Sequence, residues 1–139
     1  MTFGQSKNSI SLNPTGSYKL DLKTIEKKGE TYGYFGDIKI KLLDQSKIAI
    51  TLFVCKGAPG YHSGALWDTI EYKNNIAVYI PENDSTCKIT FTFKRSGITV
   101  IQYQSNLNNG CGFGQGVFAD GYYRKVSAKI PIIKDPEED

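Results

Sequence analysis

The chain has one histidine, and nowhere in its 139 residues does an apolar run approach the roughly 18–20 residues that carry a helix across a bilayer. Apolar side chains do not recur at three- and four-residue steps either, so no helical period is present. Charge of one sign is also lacking. Seventeen Lys and Arg stand against 14 Asp and Glu, a net charge of +3, and the lysines scatter among acidic residues. Nucleic-acid binders gather their cations into a stripe, so nucleic acid is not the expected partner, whereas an acidic protein surface stays open. Catalytic sets are equally scarce. His62 is the only imidazole base, and its neighbour Ser63 points the other way on extended backbone, so the two are not a dyad. Asp68, Glu71, Glu82 and Asp84 could offer paired carboxylates, but they fall on turns or expected outer faces, where solvation accounts for them. The three cysteines and His62 lack the short spacings of zinc ligands. No enzyme activity, metal or cofactor is expected.

What the chain does have is alternation. Tyr18, Leu20 and Leu22 face one way while Lys19, Asp21 and Lys23 face the other, the period of a half-buried strand. Ile38, Ile40 and Leu42 repeat the pattern after a turn at Lys28-Gly29-Glu30 and a bend at Gly33 and Gly36. A turn at Asp44-Gln-Ser46 leads to Lys47–Cys55, apolar on both faces and so expected to be central or covered on its outer side. Leu66–Tyr72 and Ile76–Ile80 flank Lys73-Asn-Asn75, where adjacent asparagines tolerate the positive φ of a tight hairpin. Pro81–Ser85 is a further turn. Cys87–Phe93 and Ile98–Tyr103 follow around Lys94–Gly97, and a last strand is placed over 117–126. Ile130-Pro-Ile-Ile133 is expected to add a short apolar contact. About eight short strands with short connections must hide their edges. Gly16-Ser-Tyr18 is echoed by Gly121-Tyr-Tyr123, and pairing these two strands would close the sheet. The fold expected is therefore all-β, a small antiparallel up-and-down barrel, with a two-sheet sandwich as the alternative. Residues 1–15 are read as a flexible arm, 16–133 as the single domain and 134–139 as an acidic, disordered tail.

Cys87 and Cys111 bracket a hairpin and a glycine-rich return, which makes them the favoured disulfide; Cys55, ending an apolar strand, reads as a buried thiol. The return, Gly110-Cys-Gly-Phe-Gly-Gln-Gly116, ends in Gly-Val before a strand, not in Gly-Lys-Ser/Thr before a helix. It is a structural crossing, not a phosphate cradle. The other break in the pattern is Lys56–Gly64, a loop with three glycines and a proline. Tyr61, His62, Ser63 and Trp67 cluster there, either as a contact surface for a protein partner or as a plug for one end of the barrel.

Several stretches carry a resemblance: Tyr-His-Ser-Gly at 61–64, Ile-Glu-Tyr-Lys-Asn-Asn at 70–75, Ala-Val-Tyr at 77–79, Cys-Lys-Ile-Thr-Phe-Thr-Phe at 87–93, Cys-Gly-Phe-Gly-Gln-Gly-Val at 111–117 and Asp-Gly-Tyr-Tyr at 120–123. Together they resemble a group of small exported bacterial proteins, similar in turn to the periplasmic inhibitors of C-type lysozyme, which are disulfide-bearing β-barrels. In those inhibitors a Ser-Gly motif and a downstream lysine enter the enzyme's cleft. The resemblance maps the first onto Ser63-Gly64 and the second onto Lys73, with a shorter spacing and with Asn74 where a glycine would follow. Thr2-Phe-Gly-Gln5 resembles the end of an export signal with a starting Met added, which implies a periplasmic or secreted protein. The function these features imply is inhibition of a peptidoglycan-cleaving enzyme by a monomer or weak dimer, through Tyr61, His62, Ser63, Gly64, Trp67 and Lys73. An immunity protein against a secreted toxin, and a barrel binding a small ligand or glycan, are the alternatives.

Overall fold

A computed structural model describes residues 12–44, 46–82, 85–104, 110–114 and 116–134. Most of the expected arm and tail, as well as Asp84, lie outside the described residues. Among the described residues nine strands form: β1 (Gly16–Leu20), β2 (Ile25–Lys27), β3 (Glu30–Asp44), β4 (Lys47–Gly57), β5 (Ser63–Glu71), β6 (Ile76–Tyr79), β7 (Cys87–Phe93), β8 (Gly97–Gln104) and β9 (Gly121–Ser127). They pair antiparallel in the order β5-β4-β3-β1-β9-β8-β7-β6, with β2 a side partner of β3. Apart from β2, sequence order is sheet order and the first strand meets the last. The fold is a nearly closed up-and-down barrel of eight strands.

The Gly-x-Tyr echo has a physical basis. Gly16 and Gly121 both hold positive φ, 149° and 145°, where a side chain is rarely tolerated. Two residues later, Tyr18 and Tyr123 turn fully inward, and each hydroxyl donates to the carbonyl four residues back. Tyr18 reaches Pro14 at 2.6 Å, and Tyr123 reaches Ala119 at 2.9 Å. Each is a corner in which a buried tyrosine ties the segment entering a strand to the core. The register pairs Tyr18 with Lys125 and Leu20 with Tyr123, so the two corners stand on adjacent antiparallel strands and serve opposite ends of the barrel. Burial raises both phenols above their ordinary pKa.

Between them the interior is filled by side chains. Ile38, Ile40, Ile48, Ile50, Leu52 and Val54 from β3 and β4 meet Ile89, Phe91, Ile98 and Val100 from β7 and β8, all at most 1% exposed. Phe93 takes two edge-on rings, Tyr72 at 5.2 Å and Tyr18 at 6.5 Å.

Several features differ from the sequence expectation, among them the last strand, which starts at Gly121 and not at 117. Leu22 is 59% exposed, because β1 ends at Leu20 and the chain leaves to form β2, which pairs with β3 at the side of the sheet. The Asn74-Asn75 turn forms with φ of 55° and 64°, but it is followed by a single bridge, Lys73–Ile76. Beyond it β6 pairs with β7 alone, so the seam of the barrel runs where a hairpin was expected. Asp68, expected outside, shares the inward parity of Leu66 and lies half-buried along that seam, where its charge helps raise the phenol of Tyr79. Residues 128–134 continue past β9, and Pro131 and Ile132 line a groove with Trp67 and Leu43 on the outer face of β3–β5. Pro131 and Ile133 are half-buried there while Ile130 and Ile132 stay 69% and 78% exposed, so the apolar contact expected of this segment is made only in part.

Candidate functional site

The end of the barrel where β4 passes to β5 carries the loop singled out by composition. Its backbone is fixed locally. Lys56 N–H donates to the His62 carbonyl at 2.9 Å, Tyr61 N–H to Gly57 at 2.9 Å, and Ala58 N–H to Thr31 at 2.7 Å. The Ala58–Pro59 peptide is cis, and Tyr61 sits at φ 54°. Tyr61 then clasps the loop to the β2–β3 hairpin, its hydroxyl donating to Glu30 Oε1 at 2.5 Å and accepting from Thr31 N–H at 3.1 Å. The Glu30 carboxylate holds that proton and raises the phenol's pKa.

The glycine-rich return folds onto the same place. Cys111 is tied to Cys87 at the head of β7, with Cα atoms 5.1 Å apart. From there the chain carries Phe113 over Gly64, so closely that a Cβ at Gly64 would fall inside the ring's van der Waals envelope. Gly114 N–H donates to the Ser63 carbonyl at 2.8 Å, and Tyr34 donates its hydroxyl proton to the Gly116 carbonyl at 3.1 Å. Two segments about fifty residues apart thus become one surface.

The structure brings together Tyr61, His62 and Ser63, with Gly64 buried beneath them. Tyr61 is committed to Glu30, whereas the imidazole of His62 and the hydroxyl of the half-buried Ser63 have no hydrogen-bond partner among the described residues. Trp67, 44% exposed, shares the outward parity of Ser63. It stands four residues along β5, about 13 Å away. Lys73 does not join them. It follows the far end of β5, whose nine residues span about 30 Å, so Ser63 and Lys73 occupy opposite ends of the barrel. A cation that does stand beside this surface is Lys56, whose Nζ lies next to Gly116. Glu30 and Thr31, which set the loop, carried no signal some thirty residues upstream. Phe113 carried one, as the bulky residue among four glycines.

Cys55 is a buried free thiol that accepts weakly from Gly57 N–H at 3.4 Å. Among the described residues no three His, Cys, Asp or Glu side chains gather as metal ligands, and no helix is long and apolar enough to cross a membrane. No protein-family model, curated protein or solved structure matches the chain.

Proposed function

We propose that the protein is a non-enzymatic, exported inhibitor that blocks a lysozyme or another peptidoglycan-cleaving enzyme by inserting the Tyr61–Ser63 end of its barrel into the active cleft. The observation that carries this reading is a loop fixed by hydrogen bonds to its own backbone and to the β2–β3 hairpin, whose His62 and Ser63 side chains have no hydrogen-bond partner among the described residues. Such a loop binds without first losing conformational freedom, and its polar tips are left for another molecule. A lysozyme cleft holds two carboxyl groups, one of them ionised, and hydrogen-bond donors delivered there away from water make charge-assisted contacts. Lys56 supplies a cation at this end in place of Lys73. The Cys87–Cys111 bridge suits an oxidising compartment.

The rival reading of a ligand held inside the barrel is disfavoured by an interior filled with Tyr18, Phe91, Tyr123 and their aliphatic neighbours. An immunity protein would use the same surface on a different target.

The test is titration into muramidase assays against hydrolases of several classes. At least one class should be inhibited stoichiometrically. The His62→Ala/Ser63→Ala double variant should weaken inhibition at least tenfold, and Lys73→Ala should leave it unchanged. No inhibition across the panel would overturn the proposal.

A further inference from the structure

The other end of the barrel holds a cleft of about 280 Å³ whose lining joins three cations, Lys94, Arg95 and Lys125, to Pro14, Phe93 and the ring of Tyr18. Among the described residues no carboxylate lines it. We infer that this cleft is a binding site for a small organic phosphate, with the anionic head among the three cations and an apolar body against Pro14 and Phe93.

The cations come from separate elements that the fold draws together. Lys94 and Arg95 belong to the β7–β8 turn, which closes through Lys94 N–H to the Gly97 carbonyl at 2.8 Å. Lys125 sits on β9, and its N–H donates to Ser96 of that same turn at 2.8 Å.

Lys125 is the informative residue. On β9 the inward positions run through Tyr123 to Lys125, while Arg124 and Val126 face water, Val126 at 42% exposure. At the rim the valine therefore faces outward and a half-exposed lysine takes the inward position. Room is made for it: a Cβ on Gly16 would come within 2.9 Å of Lys125 Cε. Its ammonium stands 5.6 Å from the centroid of the Tyr18 ring. Beyond that contact with the ring, an apolar side chain would fill the position with no charge to desolvate, so the core does not require a lysine there. Breaks in local patterning without a packing gain are expected where a site is built. The ion pair found among the described residues, Arg124–Asp21 at 3.8 Å, leaves all three cations of the cleft without a carboxylate partner. Three cations, one of them a guanidinium able to grip two oxygens at once, match a tetrahedral oxyanion of charge near −2.

The inference is tested by following backbone amide shifts of the full chain on titration with phenyl phosphate, and separately with inorganic phosphate. Phenyl phosphate should give saturable shifts at Ser96, Gly97 and Lys125 and bind at least fivefold more tightly than inorganic phosphate. Lys125→Met and Arg95→Gln should each weaken it about tenfold, and Lys39→Gln, on the outer face of β3, should not. Non-saturable shifts, or shifts that survive both cleft substitutions, would overturn the site. Equal affinities for the two anions would overturn the organic body.

Discussion

The two ends of the barrel are held by different means. At the loop end, the Cys87–Cys111 bridge and the Phe113 ring seated on Gly64 fix the glycine-rich return against Ser63. At the arm end, the chain entering β1 is tied by side-chain hydrogen bonds. Tyr18 donates to the Pro14 carbonyl, Tyr72 donates to the Leu12 carbonyl at 2.7 Å, and Leu12 N–H donates to Asn75 Oδ1 at 2.8 Å. One end is locked by a covalent bond and by shape, and the other by ties worth about 1 kcal/mol each. A surface that must keep one form for a partner gains from the first kind of bracing. A cleft that admits a small molecule tolerates the second.

Removing the bridge is the strongest way to break this contrast. Cys87→Ala/Cys111→Ala opens a loop with a sequence separation of 24. It should cost about 3–3.5 kcal/mol in urea unfolding by the chain-entropy account. Amide exchange should speed up at Ser63, Gly64 and Gly114 before it does at Leu12 or Lys125. Uniform loss of protection at both ends would show that the two are not separately braced.

Gly64→Ala tests the steric half of the lock without touching the disulfide. The added methyl meets the Phe113 ring, and overpacking of this kind costs about 1–3 kcal/mol. Pairing it with Phe113→Leu should restore part of the loss. If Gly64→Ala alone is neutral, the ring does not hold the return in place.

These contacts also mark where the sequence is legible. The Ile38-Ile40-Leu42 alternation, the Cys87 and Cys111 brackets and the Gly-x-Tyr echo each report a local or repeated constraint, and from them the strands, the bridge and the closure follow. β2 has no such pattern, since all three of its residues are exposed and it exists because a turn at Lys28-Gly29 folds it onto β3. The seam is not legible because Asn74-Asn75 specifies a turn and not which edge β6 will keep; that is settled by β7. Phe113 on Gly64 and Tyr61 on Glu30 are long-range matches that neither partner announces. The separation of Ser63 from Lys73 was legible in principle, since an extended segment of that length leaves them at opposite ends, and only the family resemblance had joined them.

The corners offer a finer comparison, because Tyr18 and Tyr123 are the same device at opposite ends. Each Phe substitution leaves a carbonyl without its donor and should cost about 1–2 kcal/mol, with similar values at the two positions. A much smaller loss for Tyr123→Phe would mean that the disulfide already holds what that corner holds. Beneath Tyr18→Phe, the arm should exchange faster while the loop end stays protected.

Alkaline pH sharpens the same comparison in the unmodified protein. Burial raises the phenols of Tyr18 and Tyr123, and pushes Tyr72 up to about 12. In the unfolded chain each ionises near its ordinary value of about 10. The folded state therefore binds more protons than the unfolded one above that pH. The stability these groups contribute is complete below about pH 10 and is lost as pH rises through the folded values, by at most about 1.4 kcal/mol per pH unit for each tyrosine. Urea unfolding at pH 9, 10 and 11 should show this decline begin near 10 and steepen. A flat profile would mean that the three phenols are not held neutral by burial. Two of them, Tyr18 and Tyr72, tie the arm, whereas Tyr123 alone serves the loop end, where the disulfide is indifferent to phenol ionisation. The arm end should therefore open first, with amide protection lost at Leu12 and Thr15 while Ser63 and Gly114 keep theirs. Tyr18→Phe removes one of the titrating groups, so it should flatten the decline as well as lower the starting stability.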